Sequence, residues 1–155
     1  SLQLLLRQFG RTMVAVPHRY AGGQLPRTDV LISAVDSMEA RRLLFKVVQK
    51  QKIPFYIDGR IGGENLRVYS IQPANVLDRR LYRSTLVPDH RVAPLSCTGQ
   101  QVMDVGLTTA GLIVRSVRQW AVLRRYNPEV IVKHDCLVSL VASPVEIALE
   151  EHRGE

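Results

Sequence analysis

Four places in the chain carry groups that could do chemistry: Asp36, Arg41, the glycine-bearing segment from Gly59 to Gly63 with Arg60, and Cys97. Asp36 ends an apolar run, 30–35, and precedes a segment with helical spacing. In an open α/β sheet, ligands bind beyond the carboxyl ends of the strands, and helix N-termini attract phosphate. A carboxylate at that point could hold a metal ion riding on nucleotide phosphates. Asp36 or Ser37 could equally serve as a plain helix cap. Arg41 follows five residues on, either facing solvent or pointing back to the same rim.

The segment Asp58-Gly-Arg60-Ile-Gly-Gly63 reads as a loop closing the next strand. Its glycines permit unusual backbone angles and close approach of a ligand, and Arg60 adds a cation at the same sheet edge. A tight turn between strands explains the same residues. It is not a Walker loop, because no Gly-Lys-Ser/Thr follows. Cys97, in Pro94-Leu-Ser-Cys97-Thr98, stands at the mouth of a long helical pattern. The positive end of a helix lowers a thiol's pKa and favours the nucleophilic thiolate. An ordinary small buried residue is the alternative. His90 and His134 are the histidines that could approach Cys97 in space, and Cys136 falls inside an apolar strand and reads as inert.

These groups need elements to position them. The run 30–35 is continuous rather than alternating, which predicts a parallel strand buried on both faces. A helix from about 38 to 50 follows, then a strand at 53–57, the glycine loop, and an alternating strand at 65–71. Residues 73–96 carry three prolines and read as a long crossover, with a helical turn near 77–82. Helical spacing returns from 98 to 125 and stops at Asn127-Pro128. Two apolar stretches, 130–132 and 136–141, predict a closing hairpin turned at His134-Asp135, and the end from 146 on reads as a polar tail. Upstream, 2–9 reads as the end of a helix and 12–16 as a short strand. The expected fold class is α/β: a Rossmann-like open sheet with a long crossover loop, a long helix and a C-terminal β-hairpin. Residues 1–150 read as one domain and 151–155 as a tail.

Composition narrows the class. The chain has 155 residues, is 46% hydrophobic and 23% charged, which fits a globular domain with a real core. Two cysteines exclude a disulfide framework, and no apolar run is long enough to span a bilayer. A cytoplasmic setting without membrane association is the expectation. The net charge of +7 rests mainly on arginine, since only four of the 21 basic residues are lysine. Those cations are spread along the chain and few aromatics interleave, so nucleic acid is not the expected partner.

The stretches from Pro26 to Arg41 and from Pro54 to Glu64 together resemble the ThiF/MoeB/HesA family of adenylyltransferases, relatives of ubiquitin-activating enzymes. The family pattern is a strand ending in Asp, usually followed by Asn, with Arg five residues after the Asp, then a second strand and a glycine-bearing segment. Cys97 and the small residues Gly106, Ala110 and Gly111 after it also resemble the thioester-forming members. The resemblance covers about residues 26–125. It implies a chain that helps activate the C-terminal carboxylate of a ubiquitin-like or sulfur-carrier protein, with ATP and magnesium as cofactors. It implies Asp36 as the magnesium-holding residue, Ser37 and Arg41 as nucleotide contacts, Arg60 as a catalytic cation and Cys97 as a thioester acceptor. Ser37 stands where the family has Asn. The family's Gly-x-Gly-x-x-Gly phosphate loop has no counterpart in these residues, so the resemblance implies a domain incomplete at its N-terminus, with a homodimer or a partner chain supplying the loop. A second expectation, from a different class, is a non-catalytic scaffold that docks a carrier without ATP.

Overall fold

A computed structural model describes residues 14, 16, 18, 20–62, 65–88, 103–126, 134–139 and 146–150. The elements run β1 (Val30–Ser33), α1 (Met38–Lys50), β2 (Phe55–Gly62), β3 (Asn65–Ile71), α2 (Val76–Ser84), α3 (Met103–Tyr126), β4 (His134–Ser139) and β5 (Glu146–Glu150). The strands form one five-stranded sheet in the order β1-β2-β3-β4-β5. β1 and β2 are parallel, joined through α1, and the other neighbours are antiparallel. The molecule is thus α/β with a mixed open sheet.

Several sequence expectations hold. β1 pairs in parallel with β2 as predicted, but it spans only Val30–Ser33 and is not buried on both faces: it lies at the sheet edge, where Ser33 is buried and Ile32 is exposed. Helix α1 begins where expected, and of the two candidate caps it is Ser37 whose side chain accepts from the Ala40 amide. The end of α1 is closed by a bond from the Ile53 amide to the Val48 carbonyl, with Lys52 between them in the left-handed region at φ 54°. That turn normally favours glycine. The helical turn expected at 77–82 is a full helix, α2, capped by Asn75.

Two expectations are corrected. Residues 58–62 are not a loop: β2 runs through them to Gly62 and pairs with β3 along its length. Gly59 serves packing instead, because a Cβ there would stand 3.1 Å from Cδ1 of Ile113 and 3.4 Å from Cγ2 of Thr109. Helix α3 can therefore lie close on the sheet. Secondly, His134-Asp135 is not a turn. Both residues belong to β4, and its antiparallel partner β5 occupies part of the stretch expected as a polar tail. The expected elements at 2–9 and 130–132 lie outside the described residues, as does most of 12–16.

Period-two alternation sends β2 and β3 side chains to opposite faces. Phe55, Ile57, Leu66 and Val68 pack with Val105 and Trp120 on the α3 side. Tyr56, Tyr69 and Ile71 pack with Phe45, Val48, Ile53 and Tyr82 on the α1–α2 side. β1 is the strand at the parallel edge, and Ile32 on it is 48% exposed. No helix among the described residues is long and apolar enough to cross a membrane.

Candidate functional site

Register decides which polar groups meet at the sheet's α1–α2 face. Ser33 at the end of β1 pairs with Asp58 in β2. Asp58 is fully buried, and four donors surround its carboxylate. Oδ1 accepts from Ser33 Oγ at 2.6 Å and from Arg41 Nε at 3.2 Å. Oδ2 accepts from Arg60 Nε at 2.7 Å and from the Tyr82 hydroxyl at 3.0 Å. The side chains of Arg41 and Arg60 are 7% and 14% exposed, so both ion pairs are shielded from water. One carboxylate between two guanidiniums leaves a local excess of one positive charge.

Hydroxyl hydrogens run short in this cluster. Tyr56 Oη lies 2.9 Å from Ser33 Oγ and 3.2 Å from Tyr82 Oη. Ser33 and Tyr82 both give their hydrogens to Asp58. The single Tyr56 hydrogen then serves one of its two neighbours at a time. Burial first, and the Asp58 charge second, push the Tyr56 hydroxyl up to about 12. Tyr82 is also raised, again by burial before its neighbours Tyr56 and Asp58. Burial alone would lower Arg60, but the Asp58 carboxylate overrides it and the net direction is up.

Arg60 reaches further than its ion pair. Nη1 donates to the Thr85 carbonyl and Nη2 to Thr85 Oγ1, and the guanidinium lies over the Tyr69 ring at 4.4 Å. Arg42, from α1, donates to the Leu86 and Val87 carbonyls. The cluster therefore binds together β1, α1, β2 and the end of α2. With all its close acceptor positions filled and no exposure to water, Asp58 is not available as a base. It is a positioning residue for the strand ends above it.

Asp36 occupies the rim itself. It lies in the bend between β1 and α1 and is exposed, and among the described residues it has no hydrogen-bond partner. Ser37, beside it, is committed to capping α1. Arg41 is directed into the cluster through Nε, and its two terminal nitrogens have no partner among the described residues. The structure thus brings Arg41 and Arg60 together, but on Asp58 and not on a shared rim with Asp36. Gly62 ends β2, while Gly63, His90 and Cys97 lie outside the described residues. The sequence reading passed over Asp58, Ser33, Tyr56 and Tyr82 as site residues. A signal existed: Tyr56, Asp58 and Arg60 alternate with Phe55 and Ile57, as a two-faced strand requires. Among the described residues no three or more His, Cys, Asp or Glu gather as a metal site.

No family model matches the chain, and no curated protein or solved structure matches it either.

Proposed function

We propose that the chain is part of an ATP-dependent adenylyltransferase that activates the C-terminal carboxylate of a ubiquitin-like or sulfur-carrier protein. The observation that carries this reading is the placement of Asp36. An exposed carboxylate stands at the carboxyl end of a parallel strand, beside a capped helix N-terminus, on a rim braced from below by Asp58. Such a position suits an anionic ligand that arrives with a divalent cation. A hard carboxylate oxygen fits magnesium, and magnesium on ATP would supply charge neutralisation at the phosphates.

In the reaction a carboxylate oxygen of the carrier attacks the α-phosphorus of ATP. An acyl-adenylate forms and pyrophosphate leaves. Asp36 would hold the cation, while Arg41, turned into the Asp58 cluster through Nε, would add positive charge beneath the rim. The parallel unit β1–α1–β2 is the part a Rossmann-like sheet would contribute. Cys97 accepts the acyl group in a second step: its thiolate attacks the acyl carbon and AMP departs. A cytoplasmic location and a partner chain that supplies the phosphate loop complete this reading.

Pyrophosphate exchange into ATP by the intact gene product tests it. Asp36→Ala is expected to reduce exchange about a hundredfold. Unchanged exchange removes Asp36 from the mechanism. One observation favours the scaffold reading: Arg60, the expected catalytic cation, is held by Asp58 and Thr85. Calorimetry with magnesium-ATP separates the two, because a scaffold gives no binding heat.

A further inference from the structure

In the Asp58 cluster each guanidinium meets a carboxylate inside the protein. Where α1 meets α2 the arginines are held differently. Arg42 donates to the Leu86 and Val87 carbonyls, Arg79 to the Pro73 and Ala74 carbonyls, and Arg83 to Gln49 Oε1 at 3.1 Å. These acceptors are neutral. They fix each side chain in place and leave its charge uncompensated. Lys46 and Arg80 are exposed and have no partner among the described residues.

Helical spacing gathers these cations along one seam. Arg42 and Gln49 both reach the end of α2, and Lys46 lies between them, four residues after the one and three before the other, on the same side of α1. Val76, Arg79, Arg80 and Arg83 share the side of α2 that meets α1, at the spacing i, i+3, i+4, i+7. Val76 stands 64% exposed, and Val87, whose carbonyl holds Arg42, 36%. Glu39 and Asp78, the acidic residues of the two helices, lie in their first turns, and Asp78 accepts from the Gln72 amide. The seam thus combines fixed positive charge with two exposed valines.

We propose that this seam docks an acidic segment of a partner protein, its carboxylates received by the arginines and its apolar side chains by Val76 and Val87. A carboxylate matches the guanidinium fork, and side chains already held in place lose little freedom on binding. Two other polyanions fit less well. Single-stranded nucleic acid needs exposed aromatic rings, and Phe45 and Tyr82, the aromatic residues of these helices, are buried. An anionic bilayer needs a helix with a broad apolar face, whereas α2 has nine residues and sets Arg79, Arg80 and Arg83 among its apolar ones. The proposal uses none of the residues assigned to adenylylation, and its test needs no ATP, so either can fail alone.

Fluorescence anisotropy with the full chain and a labelled peptide of about five Glu-Glu-Leu repeats, at about 0.15 M salt, tests it. A dissociation constant on the order of 10 μM is expected. Lys46→Glu combined with Arg80→Glu removes no internal contact, so the circular dichroism spectrum is kept while binding weakens about tenfold or more. Arg115→Glu combined with Arg118→Glu makes the same change of net charge on α3, across the sheet, and shifts binding by no more than about twofold. Serine in place of leucine in the peptide weakens binding about threefold or more. No binding, equal losses from the two pairs of substitutions, a serine peptide that binds as well, or tighter binding of a DNA duplex or of phosphatidylserine vesicles overturns the proposal.

Discussion

On the α3 side of the sheet, Phe55 lies stacked on Trp120, with centroids 5.3 Å apart and rings 4° from parallel. On the other side the same strand presents Tyr56, Asp58 and Arg60, interlocked with side chains from β1, α1 and α2. Both faces are well buried, yet they are held by different physics. Dispersion and hydrophobic burial are graded, so one face loses stability in proportion to the atoms removed. The polar face is conditional. Each donor there is worth something only while the carboxylate it serves is present.

The sharpest way to break this contrast is Asp58→Asn. Two buried guanidiniums would lose their counter-charge, and a cost of about 3–5 kcal/mol is expected in urea unfolding. Replacing Arg41, Asp58 and Arg60 together by apolar residues of similar volume should recover most of it. Ile57→Val, one position away on the other face, should cost only about 1 kcal/mol. Equal losses from Asp58→Asn and Ile57→Val would erase the distinction.

The next effect is in alkali. The folded-state value of Tyr56 is raised from 10.0 to about 12, so the folded protein holds this proton more tightly than the unfolded chain. The stabilisation is complete below pH 10 and is lost as pH rises through about 12. About 3 kcal/mol should disappear across that window, and Tyr56→Phe should flatten the slope. Unfolding curves at several alkaline pH values show it, and an unchanged slope in Tyr56→Phe would assign the loss to other groups.

The smallest effect concerns an imperfection on the apolar side. Ser70 is buried, and its hydroxyl has no partner among the described residues. Ser70→Ala should be neutral or stabilising by up to about 1 kcal/mol, read as a rise in melting temperature. A clear loss would mean that the hydroxyl is bonded in solution.

The fold was legible wherever a local pattern carried it. The unbroken run before Asp36 announced a parallel strand, and the alternation at 65–71 gave β3 its bounds. The glycine at 59 misled, because glycine marks both turns and close packing, and only the position of α3 tells them apart; Gly62 meets no neighbour and ends β2. The hairpin was foreseen in kind but shifted in register, since short apolar stretches do not fix where a strand starts. Asp36, Ser37, Arg41 and Arg60 were visible as a set of residue types. The grouping of Arg41 and Arg60 with Ser33 and Tyr82 around Asp58 was not, because it arises from β1–β2 pairing and from Tyr82, which comes from a helix 24 residues further on.

Alternation along β2 gives the Asp58 cluster one more consequence. If β2 slid by a single residue against β1, every side chain on it would change face. Asp58 and Arg60 would enter the apolar layer beneath Trp120, and Phe55 and Ile57 would meet the hydroxyls of Ser33 and Tyr82. An all-apolar strand could tolerate such a slip, whereas this one forfeits both ion pairs at once. The buried charges thus act as a ruler as well as a fastening: they admit one alignment of the parallel pair, and with it one position for Asp36 at the strand's end.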